Sequence, residues 1–271
     1  MNGIAISERE FARFQRFILD IAGITMSDAK KALVSGRLGK RLHHFGLDSY
    51  DAYFELLAGG RHPEETQIAV DLLTTNETYF FREARHFDVL REAALAHAAA
   101  SNTPFRVWSA ACSSGEEPYS IAMVLADTLG SAPWEVTASD ISTRVLERAR
   151  IGHYPMERAA HVPADYLKRF CLKGIREQEG TLLVDRALRQ RVQFRQVNLN
   201  TQLPAELGTF DMIFLRNVMI YFNADTKRQV VARVTSRLKA GGQFVIGHSE
   251  SLHEISDAVR PVVPSVYRKA A

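Results

Sequence analysis

The sequence predicts an α/β chain: a small all-helical N-terminal region, then a doubly wound, mostly parallel sheet carrying a small antiparallel insertion. Three observations predict it. Residues 1–73 place charged and apolar side chains at helical period with no strand signal. From residue 105 onward, short β-branched and aromatic runs alternate with helical stretches, the rhythm of a parallel sheet covered by helices on both faces. Residues 106–121, Arg-Val-Trp-Ser-Ala-Ala-Cys-Ser-Ser-Gly-Glu-Glu-Pro-Tyr-Ser-Ile, run from strand through a small-residue turn into a helix, the ligand-cradling corner of such sheets.

In order along the chain, Phe11, Phe14 and Phe17–Ile18 share one helical face, and Tyr50, Phe54 and Leu57 share another, with turns at Gly23, Gly46 and Gly59-Gly60. Between them, Val34, Leu38, Leu42 and Phe45 line one face of a helix over 29–45. Lys30, Arg37, Arg41 and His44 lie along a neighbouring face, with Lys40 at its margin, and this stretch holds no acid. The segment Thr74-Thr-Asn-Glu-Thr-Tyr-Phe-Phe-Arg-Glu83 holds three consecutive aromatics, which a solvated linker would not; packing it brings Asn76, Thr78 and Arg82 near a buried site. Domain bounds of 1–73, a linker at 74–86 and 87–271 follow. Strands are expected at 106–111, 135–139, 192–197, 210–215 and 243–247, helices at 116–129, 142–150 and 225–239, and an edge strand near 264–269. Residues 171–192 interrupt the rhythm, as a small antiparallel insertion or a long solvated loop.

The corner selects its ligand. Pro118 in the first helical turn costs no hydrogen bond. A dinucleotide fingerprint needs three glycines to admit a pyrophosphate, and this turn has only Gly115. Glu116 and Glu117 at the helix start would repel a phosphate. An adenosyl ligand with hydroxyls and a cationic centre, such as S-adenosylmethionine, fits better. Asp140 ends the next strand, where such folds hold ribose hydroxyls; the alternative is a cap on the helix starting near Ser142. The strand Phe210–Leu215 delivers Arg216 and Asn217 to the same crevice, and Tyr221 either reaches it or packs beside Phe222.

Composition narrows the classes. A chain of 271 residues that is 46% hydrophobic buries a sizeable core, and two unequal domains are expected. A net charge of +3 is too small to imply nucleic acid. No apolar run has the length of a membrane span, and the first residues lack a secretory pattern, so a cytoplasmic chain is expected. Cys112 and Cys171 make neither a disulfide framework nor a zinc site, and no metal is expected.

Five motifs carry a resemblance: Thr-Thr-Asn-Glu-Thr-Tyr-Phe-Phe-Arg-Glu, Ala-Ala-Cys-Ser-Ser-Gly-Glu-Glu-Pro-Tyr-Ser, Ala-Ser-Asp-Ile, Arg-Asn-Val-Met-Ile-Tyr-Phe and Gly-His-Ser-Glu-Ser. In this order, over about residues 10–269, the chain resembles the bacterial chemoreceptor glutamate methyltransferases, the CheR family. The resemblance implies an S-adenosylmethionine-dependent methyltransferase sheet that converts receptor glutamates to methyl esters, with S-adenosylhomocysteine as product. It implies that Asn76, Thr78 and Arg82 meet the cofactor from the linker, and that Glu117, with Glu116 beside it, and Asp140 hold its methionyl and ribose parts. It places Asn198, Leu199, Arg216 and Asn217 around the adenine and sulfonium, and Arg82 and Tyr221 beside the transferring methyl group. The basic helix, through Lys30, Arg37, Lys40, Arg41 and His44, would then dock the helical cytoplasmic region of a receptor, with the protein acting as a monomer. Relatives that also hold a receptor's C-terminal peptide carry a glycine-flanked turn in the insertion; here Ile175-Arg176 follows Gly174, which puts such tethering in doubt.

Other classes fit less well. Base-amino methyltransferases use an Asn/Asp-Pro-Pro-aromatic loop, and Arg216-Asn217-Val218-Met219 stands there instead. The basic helix is also not interleaved with stacking aromatics. Gly247-His248-Ser249-Glu250-Ser251 lacks the second glycine of a nucleophile elbow. A non-catalytic adaptor would have lost polar groups of the pocket, and none of the expected ones is missing.

Overall fold

A computed structural model describes residues 4–270. The chain divides into two compact units, one running through Thr75 and including Tyr221–Lys227, the other comprising Asn76–Ile220 and the residues from Arg228 onward.

The first unit is helical: α1 Glu8–Ala22, α2 Lys31–Phe45, α3 Tyr50–Ala58 and α4 Pro63–Leu73. A capping box starts α1: the Glu10 amide donates to the Ser7 hydroxyl at 3.2 Å, and the Ser7 amide donates to the Glu10 carboxylate at 2.8 Å. Helical spacing buries Phe11, Phe14 and Ile18 of α1 and Val34, Leu38 and Leu42 of α2. On α3 the buried face is Tyr50, Tyr53 and Leu57. Phe54, expected on that face, is half-buried beneath the Arg13 guanidinium, which stacks 3.9 Å from its ring centre. The connection at 221–227 joins this unit by backbone pairing, the Thr25 amide donating to the Tyr221 carbonyl at 2.8 Å and Ile24 bridging Phe222.

The second unit contains α5 Arg85–Ala100, β1 Phe105–Ser109, α6 Glu116–Leu129, β2 Trp134–Asp140, α7 Thr143–Ile151, β3 His153–Pro155, α8 Ala164–Phe170, β4 Cys171–Lys173, β5 Thr181–Val184, α9 Arg186–Arg189, β6 Val192–Gln196, β7 Phe210–Leu215, most of α10 Ala224–Ser236, β8 Leu238–Ile246, β9 Val259–Val263 and β10 Val266–Lys269. Seven strands form one sheet in the order β6-β2-β1-β7-β8-β10-β9; the first five are parallel, and β10 runs antiparallel to both its neighbours. Strand order reverses at β1, so the crevice at the carboxyl ends of β1 and β7 is the topological switch point where ligands bind. Helix α6 lies deep, with Tyr119 to Leu125 buried throughout.

The insertion is a sheet rather than a loop. Its order is β3-β5-β4, all antiparallel, and its third strand, β3, comes from outside 171–192. Helix α10 ends three residues before the expected position, because Leu238 already pairs with Phe210 at the start of β8. No helix among the described residues is long and apolar enough to cross a membrane.

Candidate functional site

The turn after β1 is suspended between two strands. The Ala110 amide donates to the Phe214 carbonyl at 2.9 Å on the β7 side, and the Cys112 amide to the Ser139 carbonyl at 2.8 Å on the β2 side. Gly115 has φ +98°, and a Cβ there would stand 2.8 Å from both the Ala149 Cβ and the Tyr154 hydroxyl, so both conformation and space demand glycine. Tyr154 braces the same turn by donating to the Ser114 carbonyl at 2.7 Å.

Asp140, at the tip of β2, is buried and accepts from the amides of Ser113 at 2.8 Å and Ser142 at 3.0 Å. The α7 cap is Ser142, whose hydroxyl accepts from the Val145 amide. Asp140 thereby ties the turn after β1 to the residue that precedes α7.

The two glutamates at the start of α6 part company. Glu117 accepts from the Ser109 hydroxyl at 2.7 Å and from Arg216 Nη1 at 3.2 Å. Glu116 turns away: it is 1% exposed and bonded to the Ser114 hydroxyl at 2.7 Å and to Arg158 at 3.0 Å. A carboxylate so enclosed anchors the turn, whereas Glu117 is the one of the pair that faces Arg216. Burial pushes the pKa of both glutamates up; the Arg216 charge opposes this at Glu117, and the Ser114 hydroxyl opposes it at Glu116.

Arg216, whose side chain is 2% exposed, is the buried cation of the crevice. Besides Glu117, it bonds the Arg82 carbonyl and, at 3.1 Å, the Glu83 carboxylate. Burial would raise the Glu83 pKa, but the Arg216 charge and the hydrogen bonds from its neighbours hold it below the usual range. Asn217, at φ +57°, donates from its side chain to Glu83 at 3.3 Å. The Glu250 carboxylate cinches this corner, accepting from the amides of Asn217 at 2.9 Å, Met219 at 2.8 Å and Gly247 at 2.7 Å.

The linker segment folds onto the turn through its backbone. The Asn76 carbonyl accepts from the Ser113 hydroxyl at 3.1 Å, and the Thr78 carbonyl from Arg158 at 2.6 Å. Of its three aromatics, Phe80 and Phe81 are buried while Tyr79 is 36% exposed. Arg82 is half-exposed, donating to the Glu77 carbonyl at 3.2 Å. Beyond β6, the Val197 amide pairs with the Asp140 carbonyl, so Asn198 and the mostly buried Leu199 follow directly on that strand tip.

Glu83, Arg158 and Glu250 were not singled out from the sequence. Arg158 lies 80 residues from its Thr78 partner and carried no signal, whereas Glu83 and Glu250 stood inside recognised motifs without a role.

Tyr221 is half-exposed and counts with the helical unit. In that unit the basic helix is partly committed to its own fold. Arg37 donates to the carbonyls of Leu72 and Thr74, each at 2.9 Å. Arg41 grips Glu65 with two bonds, at 2.8 and 2.6 Å, and Tyr53 donates to the same carboxylate at 2.5 Å. Glu65 is 2% exposed, so the Arg41 charge is met internally. Of the basic residues expected to dock a receptor, Arg37 and Arg41 are half-buried, and Lys30, Lys40 and His44 are exposed.

The crevice fits an adenosyl ligand with a cationic centre: acids at Glu117 and Asp140, a buried Arg216 whose Nε has no partner among the described residues, and a turn too narrow in glycine for a pyrophosphate. Comparison with known proteins bears on the same point. Residues 76–267 match the family described as CheR methyltransferase, SAM binding domain, and residues 9–74 match CheR methyltransferase, all-alpha domain. The chain is 43% identical over 254 residues to the chemotaxis protein methyltransferase of Escherichia coli (strain K12), covering 93% of this chain and 87% of that one. It is 42% identical over 266 residues to chemotaxis protein methyltransferase 2 of Pseudomonas aeruginosa, covering 97% and 94%. Against the chemotaxis protein methyltransferase of Borreliella burgdorferi, identity is 34% over 275 residues, covering 98% and 96%. With S-adenosylmethionine as its cofactor, the chain belongs to the CheR methyltransferase family.

Proposed function

We propose that this chain methylates glutamate side chains of chemoreceptors, in the cytoplasm, for sensory adaptation. The observation that carries this reading is that the chemotaxis methyltransferases match both units. A helical unit that no cofactor chemistry requires is shared along with the cofactor domain.

The chemistry asks little of the protein beyond placement. A glutamate, with an unperturbed pKa of about 4.3, is already a carboxylate nucleophile at neutral pH. When bound, S-adenosylmethionine supplies a methyl group on a sulfonium, whose departure as a thioether needs no proton. One carboxylate oxygen bonds to the methyl carbon as the carbon–sulfur bond breaks, leaving a methyl ester and S-adenosylhomocysteine. The catalytic contribution of the chain is then alignment and exclusion of water.

In this reading Asp140 holds ribose hydroxyls, Glu117 the methionyl ammonium, and Asn198 and Leu199 border the adenine. Arg216 and Asn217 fix the wall between Glu83 and Glu117. Asn76 and Thr78 close the turn from the linker, and Arg82 orients the substrate carboxylate through its two-pronged guanidinium. Tyr221 serves the methyl region, and Lys30, Lys40 and His44 steer an acidic receptor helix by charge.

Incubation with tritiated S-adenosylmethionine and either receptor-bearing membranes or RNA tests the proposal. Base-labile label on protein is the expected methyl ester; label on RNA would overturn the reading in favour of a nucleic-acid methyltransferase. Arg82→Ala and Tyr221→Phe should each slow single-turnover methyl transfer at saturating cofactor. Unchanged rates would remove the roles given to this pair.

A further inference from the structure

The fold brings His248 against a pair three residues apart in sequence, Glu83 and His86. Glu83 precedes α5, His86 lies in the first turn of α5, and His248 follows β8; one ligand atom from each lies within 4.8 Å of the others. His86 is 2% exposed, and neither of its ring nitrogens has a hydrogen-bond partner among the described residues. Its Nδ1 stands 3.4 Å from a Glu83 oxygen without a hydrogen bond between them. The His248 ring meets the His86 ring edge-on, with centres 4.9 Å apart. Burying an imidazole with neither nitrogen satisfied is unfavourable, so the protein holds His86 there at a cost that a ligand on nitrogen would relieve.

The same corner opens into a cleft of about 700 Å³ lined by Arg85, His86, Asp88, Val89, His248 and Ser265, among others. His248 is exposed, which gives an ion a route in.

We infer that Glu83, His86 and His248 form a binding site for one divalent transition-metal ion, with Zn²⁺ the ion whose preferences the set fits. Two imidazoles and a carboxylate are borderline ligands suited to zinc, and three protein ligands leave the fourth position facing the cleft. Ligands must be unprotonated at nitrogen to bind. Bonds of about 2.0–2.2 Å to a tetrahedral ion separate neighbouring ligand atoms by roughly 3.3–3.5 Å. The cluster must therefore close by about an ångström, a movement the exposed His248 ring can supply. Arg216, and Arg85 on the cleft wall, oppose the added charge, while Asp88 on the same wall, paired with Arg91 at 3.0 Å, favours it.

Occupancy would reach the cofactor crevice. Glu83 binds Arg216 and Asn217, and Arg216 in turn binds Glu117. An ion that draws the Glu83 carboxylate toward the histidines loosens this chain, so zinc is expected to weaken cofactor binding; this consequence, unlike the site itself, rests on the proposed roles of Arg216 and Glu117.

Zinc chloride is titrated into the tag-free full-length protein against a chromogenic chelator at neutral pH, with no cofactor or receptor present. The wild type should bind one equivalent, His248→Ala at least tenfold more weakly, and Glu83→Gln likewise. Because His248 is exposed, its variant is expected to keep the wild-type circular dichroism spectrum; His86→Gln, the buried position, is compared only if it does the same. Equal zinc affinity in wild type and His248→Ala, or no wild-type binding beyond that variant's, overturns the site. A failed receptor-methylation assay leaves this binding result untouched, so the two readings fail separately.

Discussion

Replacing Glu250 should unfasten the corner that carries Arg216 and Asn217. Its carboxylate accepts three backbone amides, from Asn217, Met219 and Gly247, at 2.7–2.9 Å. These amides lie after β7 and β8, so a single side chain sets the spacing of two strand ends. Hydrogen bonds to a charged acceptor contribute about 1.5–3 kcal/mol each, but they share one half-buried acceptor and water can replace part of the loss. Glu250→Ala should therefore cost about 2–4 kcal/mol in total. For a chain of this size that lowers the melting midpoint by roughly 4–16 °C. Glu250→Gln, which keeps one acceptor oxygen, should lose about half as much. Without the tie, Asn217 keeps only its 3.3 Å side-chain bond to Glu83 to hold its left-handed backbone in place. S-adenosylmethionine affinity, read by isothermal titration, should fall with the midpoint. A midpoint within a degree of wild type would show the amides to be satisfied otherwise. A lowered midpoint with unchanged affinity would show that the clamp serves stability alone and does not set the crevice.

Other outcomes follow from single contacts. Asp140→Ala should weaken cofactor binding by about 1.5–3 kcal/mol, roughly ten- to a hundredfold, through lost charge-assisted bonds to the ribose; an unchanged isotherm would place the ribose elsewhere. Gly115→Ala should fail to bind cofactor, since its Cβ would fall 2.8 Å from Ala149 and Tyr154 at φ +98°, and normal binding would mean that the turn can move aside. Glu65→Ala should destabilise the helical unit by about 3–5 kcal/mol, because it strands Arg41 and the Tyr53 hydroxyl. Bonds from Arg41 and Tyr53 outweigh burial and hold the Glu65 pKa below its usual value, so its contribution is full above about pH 4.3 and is lost as pH falls through the lower folded value. An acid unfolding profile of Glu65→Gln that superimposes on wild type would refute that assignment. Lys30→Glu with Lys40→Glu should slow receptor methylation at low salt and flatten its salt dependence while sparing cofactor affinity; equal rates would make this an ordinary solvated face.

What the sequence disclosed and what it hid divide along range. Helix α6 was legible to the residue at both ends, because a glycine turn and Pro118 start it and a second glycine follows its end. Asp140 was legible as a strand tip, since a short β run ends in an acid before a serine cap. Helix α5 was not called: its alanine-rich second half has little amphipathic contrast, and its buried residues His86, Phe87, Leu90 and Ala94 make a thin stripe. Strand β9 escaped for the opposite reason, an exposed edge with Pro261 in its middle. Charges were the hardest to place. Arg37, Arg41, Lys30 and Lys40 look alike on a helical wheel, yet Arg41 is bound to a glutamate 24 residues away and Arg37 to carbonyls at the end of α4. Glu116 and Glu117 are adjacent in sequence, and one faces Arg158 while the other faces Arg216. Local pattern determines which face of an element is apolar, because burial follows the helical or strand period. It does not determine whether a charge on that element is bound internally or left for a partner, because the countercharge arrives by tertiary folding. Exposed charge on such a helix therefore has to be counted after the internal contacts are removed, and of these basic residues that leaves Lys30, Lys40 and His44 exposed.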